Sequence, residues 1–183
     1  IPVEALIRGM IVQSGNDACV VLAEGIAGSE ENFAQMMNRE AKRLGMKNTH
    51  FRNSTGLPDP QHVTTARDLA ILATALIRDF PAEYQKYYSL KEFRYANISQ
   101  PNRNRLLWTD PTVDGVKTGH TDAAGHCLIS SALRAQRRLL AVVLGTSSDK
   151  ARATESAKLL NWGYIAYDAV NLYPQGRPVG TPR

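Results

Sequence analysis

A mixed α/β (α+β) domain, with a helical subdomain beside an antiparallel sheet, is the fold class that this sequence predicts. Two observations predict it. Apolar residues recur with helical spacing through most of the stretch from Val3 to Ile77. Beyond it, two apolar runs, Cys127 to Leu133 and Leu139 to Leu144, are joined by a short polar turn in the manner of a β-hairpin. The chain has 183 residues, 43% hydrophobic and 21% charged, which suits one main domain with a core large enough to fold without disulfide staples.

The elements follow in order. Val3, Leu6, Ile7, Met10 and Ile11 share one face of a first helix, which should stop near Ser14-Gly15-Asn16. A second helical run, Cys19 to Ile26, ends at Gly28. Ser29 caps a third helix, with Phe33, Met36, Met37 and Leu44 facing inward and Gly45 as terminator. Asn53 to Pro60 is turn chemistry, and Thr64-Thr65 can cap a fourth helix carrying Leu69, Leu72, Leu76 and Ile77 up to Pro81. Phe93 to Ile98 alternates like a strand, a polar loop runs through Asn102 to Asn104, and Val113 to Gly119 leads into the hairpin. A closing helix puts Ala153, Ala157, Leu160, Tyr164 and Tyr167 on one face, and a Pro/Gly-rich tail begins at Pro174. The predicted division is a domain over 1–170 and, over 171–183, a tail or the start of a further domain.

Charge narrows the partners. With 22 Lys+Arg against 17 Asp+Glu the net charge is +5, but acidic residues lie between the basic ones. The densest group, Arg134, Arg137 and Arg138, reads as a solvated hairpin turn. With no zinc-finger spacing and no aromatic-basic RNA motif, nucleic acid is not an expected partner. No run approaches the ~20 apolar residues of a membrane span. The N-terminus has no signal-peptide pattern, so the leader of an exported form would already be gone. Cys19 and Cys127 form no redox or metal spacing and read as buried free thiols.

Two short motifs can carry chemistry. Ser14-Gly15-Asn16 at a helix end is, alone, a common terminus. Lys117-Thr118-Gly119-His120-Thr121 offers a cation, a hydroxyl and close backbone approach to a bound anion, or else a plain edge strand running into a turn. Their order is more specific than either. A Ser-x-Asn from a helical region followed, about a hundred residues later, by Lys-Thr-Gly on a strand is the order of the second and third motifs in penicillin-recognising serine enzymes.

With these motifs and with Leu44 to Phe51, Ala66-Arg67-Asp68, Asn102-Arg103-Asn104, Leu106-Leu107-Trp108 and Leu159 to Gly163, the sequence resembles the serine-type D-alanyl-D-alanine carboxypeptidases, the low-molecular-mass penicillin-binding proteins of the penicillin-binding protein 5 and 6 type. The match runs to about Val170. It implies the transpeptidase and β-lactamase fold, residues 1–170 being part of the catalytic domain, with the site in the crevice between helices and sheet. It implies an enzyme of the bacterial envelope, at the periplasmic face of the cytoplasmic membrane, with no metal and no cofactor. Its partners would be peptidoglycan pentapeptide and β-lactam antibiotics, with membrane attachment only through a C-terminal anchor that is not in this sequence.

The resemblance also implies roles. Ser14 and Lys117 would form a hydrogen-bonded pair that carries a proton toward the leaving amine, Asn16 would hold the peptide by its amide, and the backbone N–H of His120 would donate to the oxyanion. Thr118, Gly119 and Arg152 would bind the substrate's terminal carboxylate region, with Arg103 assisting. Structural or loop roles are expected for His50, His62 and His126. The family's first motif, Ser-x-x-Lys, is not found upstream of Ser14. The one Ser-x-x-Lys present, Ser147-Ser148-Asp149-Lys150, follows Lys-Thr-Gly and reads as a strand-to-helix turn. An N-terminal segment of the same protein would therefore supply the nucleophile, and this chain alone would be inactive. Two alternatives remain at this point: a non-catalytic peptidoglycan-binding remnant, which would not take up a fluorescent penicillin, and a β-lactamase, which would turn over a chromogenic cephalosporin.

Overall fold

The computed structural model describes residues 1–170 together with Leu172 and Gly176, so the tail expected over 171–183 lies otherwise outside the described residues. The helical subdomain is built from α1 (Val3–Gln13), α2 (Asn16–Ala27), α3 (Glu30–Leu44), α4 (Ala66–Asp79) and α5 (Pro81–Tyr88). A small hairpin, β1 (Glu92–Tyr95) and β2 (Ile98–Pro101), and a single turn of helix, α6 (Leu106–Thr109), lead to the main sheet. That sheet is antiparallel in the order β3-β4-β5, from β3 (Val113–Thr121), β4 (Gly125–Arg134) and β5 (Arg137–Thr146), and α7 (Asp149–Ala166) follows it.

Local chemistry sets the helix boundaries. The hydroxyls of Ser29, Thr65 and Ser148 accept the N–H groups of Asn32, Asp68 and Ala151, filling donors that the first turns of α3, α4 and α7 leave open. Ser147-Ser148 is thus the strand-to-helix turn expected of it. Pro81, by contrast, does not simply end a helix. It opens α5 at the first helical position, where its missing N–H costs nothing.

Other expectations are corrected by packing. Phe93 to Ile98 is a hairpin, because Ala96 and Asn97 both take positive φ, 46° and 66°, and reverse the chain between β1 and β2. The second helix begins at Asn16, three residues before Cys19. On α3 the buried face is Ala34 and Ala41, while Met36 is exposed. Tyr167 lies beyond the end of α7 and is exposed. Cys19 and Cys127 are half-buried, not buried. Nor are the three arginines of the β4–β5 turn merely solvated. Arg134 bonds Asp110 and Asn161, Arg137 bonds the carbonyl of Tyr164, and Arg138 bonds Asp114, so each fastens the hairpin to a neighbouring element.

The core lies where α6 and α7 cover one face of the sheet, through Leu106, Leu107, Val113, Leu128, Ala132 and Leu160. Alternation along β4 sends Leu128, Ser130 and Ala132 to that face and Ile129 and Ser131 to the other, where α4 and α5 approach. The crevice opens between the helical subdomain and β3.

Candidate active site

Ser14 sits at the elbow between α1 and α2. Its N–H bonds back to the carbonyl of Met10 at 3.1 Å, and its backbone is left-handed, φ 58° and ψ 43°, a conformation that a non-glycine residue adopts at some cost. The elbow turns the chain sharply enough for Asn16, exposed in the cleft wall, to start the next helix. Across the crevice β3 presents Lys117. Its ammonium donates to the Ser14 hydroxyl, 103 residues away in sequence, and to the Thr118 carbonyl at 2.9 Å. The contact expected between the two motifs is therefore formed by the fold.

Electrostatics make this lysine unusual. Burial pushes its pKa down from the ordinary 10.5 to about 8; the guanidiniums of Arg103 and Arg152 act in the same direction, and the Cys19 thiol opposes them. No carboxylate accepts a hydrogen bond from it among the described residues. A group with that pKa both gives and takes a proton near neutral pH, which suits it to proton transfer. Cys19 itself lines the cleft, and burial raises its thiol pKa.

The remaining walls come from several elements around a cleft of about 1010 Å³. Thr118 is buried, while Gly119 and His120 are exposed. The His120 ring packs edge-on against His126 of β4, with centroids 3.9 Å apart. His126 thus belongs to the cleft wall. His50 pairs through its backbone with Val63, and His62 Nδ1 accepts the Arg52 N–H. Arg152, in the first turn of α7, is buried, and its Nη1 donates to the Gly119 carbonyl at 3.2 Å while Nη2 donates to Asp149. Arg103 is exposed in the cleft wall between two buried asparagines. Asn102 anchors to the Leu90 carbonyl at 2.8 Å, and Asn104 donates to the Gly115 carbonyl at 3.1 Å, so the loop that carries Arg103 is tied directly to β3.

Behind β3 lies a second set of polar bonds. The buried Tyr84 hydroxyl donates to Asp114 at 2.9 Å, and Arg138 donates to the same carboxylate at 2.7 Å and to the Ser131 hydroxyl at 2.6 Å. Burial and the adjacent Asp114 charge raise the Tyr84 pKa. A Cβ on Gly115 would stand 2.4 Å from the Tyr84 hydroxyl, so glycine is needed there for strand and ring to touch. Tyr84, Ser131 and Arg105 carried no signal in the sequence, and Asn104, Asp114, Gly115, Arg138 and Asp149 lay in motifs or turns without a role in the site being assigned to them. No group of three or more His, Cys, Asp or Glu side chains is placed to hold a metal among the described residues.

A crevice between a helical subdomain and an antiparallel sheet, bridged by a Ser-x-Asn elbow and a Lys-Thr-Gly strand, is the arrangement of the penicillin-binding fold. The chain belongs to the D-alanyl-D-alanine carboxypeptidase family, whose sequence profile matches residues 1–148. It is 48% identical over 178 residues to the D-alanyl-D-alanine carboxypeptidase DacA of Escherichia coli, which covers 97% of this chain and 44% of that protein. Among solved structures it superposes on penicillin binding protein 6B of Escherichia coli with a TM-score of 0.89 at 47% identity, covering 97% of this chain and 56% of that one. On the ampicillin-bound penicillin-binding protein D2 of Listeria monocytogenes the TM-score is 0.83 at 32% identity, covering 90% and 68%. The chain spans about half the length of the curated relatives it matches.

Proposed function

We propose that these residues form the Ser-x-Asn and Lys-Thr-Gly side of a serine-type D-alanyl-D-alanine carboxypeptidase that trims the terminal D-alanine from peptidoglycan pentapeptide. The observation that carries this reading is the Ser14–Lys117 contact inside the cleft. A serine from a part of the protein outside these 183 residues attacks the carbonyl between the two D-alanines, activated by a neighbouring base. The tetrahedral oxyanion is held by backbone N–H groups, one of them from His120. As the C–N bond breaks, the Lys117–Ser14 pair passes a proton to the departing amine, and Lys117 is recharged from solvent because its pKa lies near 8. Asn16 holds the peptide by its side-chain amide. Thr118, Gly119, Arg103 and Arg152 form the end of the cleft that receives the free carboxylate. Water then releases the trimmed peptide from the acyl-enzyme.

β-Lactams acylate the same serine in this reading. The whole protein works in the bacterial envelope at the periplasmic face of the cytoplasmic membrane, in peptidoglycan maturation and cell shape. The exposed side chains of Leu159, Trp162 and Ile165 on α7 favour a further part of the same protein packed against this helix.

The test uses the full-length protein: release of D-alanine from a D-Ala-D-Ala peptide, and mass spectrometry of the penicillin adduct. D-Alanine release, with the adduct on a serine outside residues 1–183, is the expected result. An adduct on Ser147 or Ser14 would overturn the assignment, and so would the absence of both activities.

A further inference from the structure

Four cations line the cleft, Lys117, Arg103, Arg105 and Arg152, against one carboxylate, Asp149. That carboxylate is shared. One oxygen accepts from Nη2 of the buried Arg152, and the other pairs with Nε of Arg105. Arg105 immediately precedes α6 and Asp149 starts α7, so the bridge ties the starts of two helices together beside Gly119 in the cleft.

The two arginines are held very differently. Arg152 is enclosed, with 5% of its side chain exposed, and is fixed by the Asp149 carboxylate and the Gly119 carbonyl. Arg105 has 63% of its side chain exposed and meets Asp149 through Nε. Its terminal Nη groups have no protein partner among the described residues. A guanidinium that is ion-paired through Nε and makes no hydrogen bond from its terminal nitrogens among the described residues retains the donors that bind a carboxylate. Asp149 also lowers the repulsion that would drive two guanidiniums apart.

We propose that Asp149 is a positioning residue that couples Arg105 to Arg152 as a two-guanidinium clamp, which makes Arg105 a specificity-determining residue for ligands with a free carboxylate. This rests on the reading that the cleft takes a peptide's C-terminus. The buried arginine supplies a fixed charge, and the exposed one closes on the carboxylate from solvent.

The experiment compares full-length wild type with Arg105→Ala, Asp149→Asn and Asp149→Glu. Binding of N-acetyl-D-alanine and of its amide is followed by the NMR signals of the arginine side chains, and KM and kcat are measured on a D-Ala-D-Ala peptide. Arg105→Ala should reduce the preference for acid over amide about two- to fivefold, the scale of an exposed ionic contact, raising KM with little change in kcat. Asp149→Asn should reduce it about tenfold, because it also releases the buried arginine, and Asp149→Glu should restore part of it. An unchanged acid-over-amide preference in Arg105→Ala would overturn the clamp even if the wild type hydrolyses the peptide. Should the wild type fail to hydrolyse it while the preference still depends on Arg105, the clamp stands and the carboxypeptidase reading falls. Thermal melts identify a variant that has lost its fold, and Arg105→Ala, at an exposed position, keeps the binding test decisive.

Discussion

Two cations of the cleft, close to each other along β3, are drawn out of water, and the protein treats them in opposite ways. Arg152 is given a carboxylate, Asp149, while Lys117 is given a hydroxyl and a carbonyl, from Ser14 and Thr118. A guanidinium keeps its charge in any surroundings, and one fixed by a carboxylate can grip an anion. A buried lysine with only neutral partners has its pKa pushed down and can trade its proton. In the proposed reading, that difference lets one pocket serve both substrate binding and proton transfer with two residues of the same formal charge.

The largest effect should come from Lys117. Lys117→Met in the full-length protein removes the cation and leaves the Ser14 hydroxyl without its donor. Acylation by penicillin should fall by about 10²–10⁴, the usual weight of a general acid–base group. A stopped-flow acylation rate within threefold of wild type would exclude Lys117 from the proton transfer.

A smaller effect tests what holds β3 in place beside both cations. Gly115→Ala puts a methyl group against the Tyr84 hydroxyl, which is pinned by Asp114. The expected cost is about 1–3 kcal/mol of stability in denaturant unfolding, the range for overpacking a closed site. Tyr84→Phe in the same background should recover part of it by removing the nearest atom. Equal stability of wild type and Gly115→Ala would show that β3 has slack there.

Much of this was legible in the sequence, for reasons that particular residues show. Ser29, Gly45 and Thr65 act within a few residues of their own position, so local capping chemistry located them. The hairpin of β4 and β5 was legible from two apolar runs and a turn. Pro81 was read only as a stop because a proline at a first helical position and one just beyond a helix look alike from one side. The reversal at Ala96-Asn97 was hidden because it lacks the glycine that usually marks such a turn. Ser14, Asn16 and Lys117 were found through motif order. Asp149 and Arg105 were not, because their pairing joins residues 44 positions apart (149 − 105) and no local pattern marks it. The same holds for Tyr84 and Asp114, 30 residues apart.

The subtlest effect of the contrast is on stability against pH. The folded-state pKa of Lys117, about 8, lies below the ordinary 10.5, so between these values the unfolded chain binds more protons than the folded one. The penalty for burying the charged lysine is fully present below about pH 8 and is relieved as pH rises toward 10.5, by on the order of 3 kcal/mol at most. Lys117→Met should flatten that part of the pH profile.

The proton-transfer role depends on Lys117 giving up its proton near neutral pH, because it is largely drawn out of water with no anion to hold its charge. It is tested most directly by following the side-chain signals of that lysine by NMR in the full-length protein as pH is raised, with Lys117→Met to assign them. A midpoint near 8 is expected. A midpoint at the ordinary 10.5 would contradict that role.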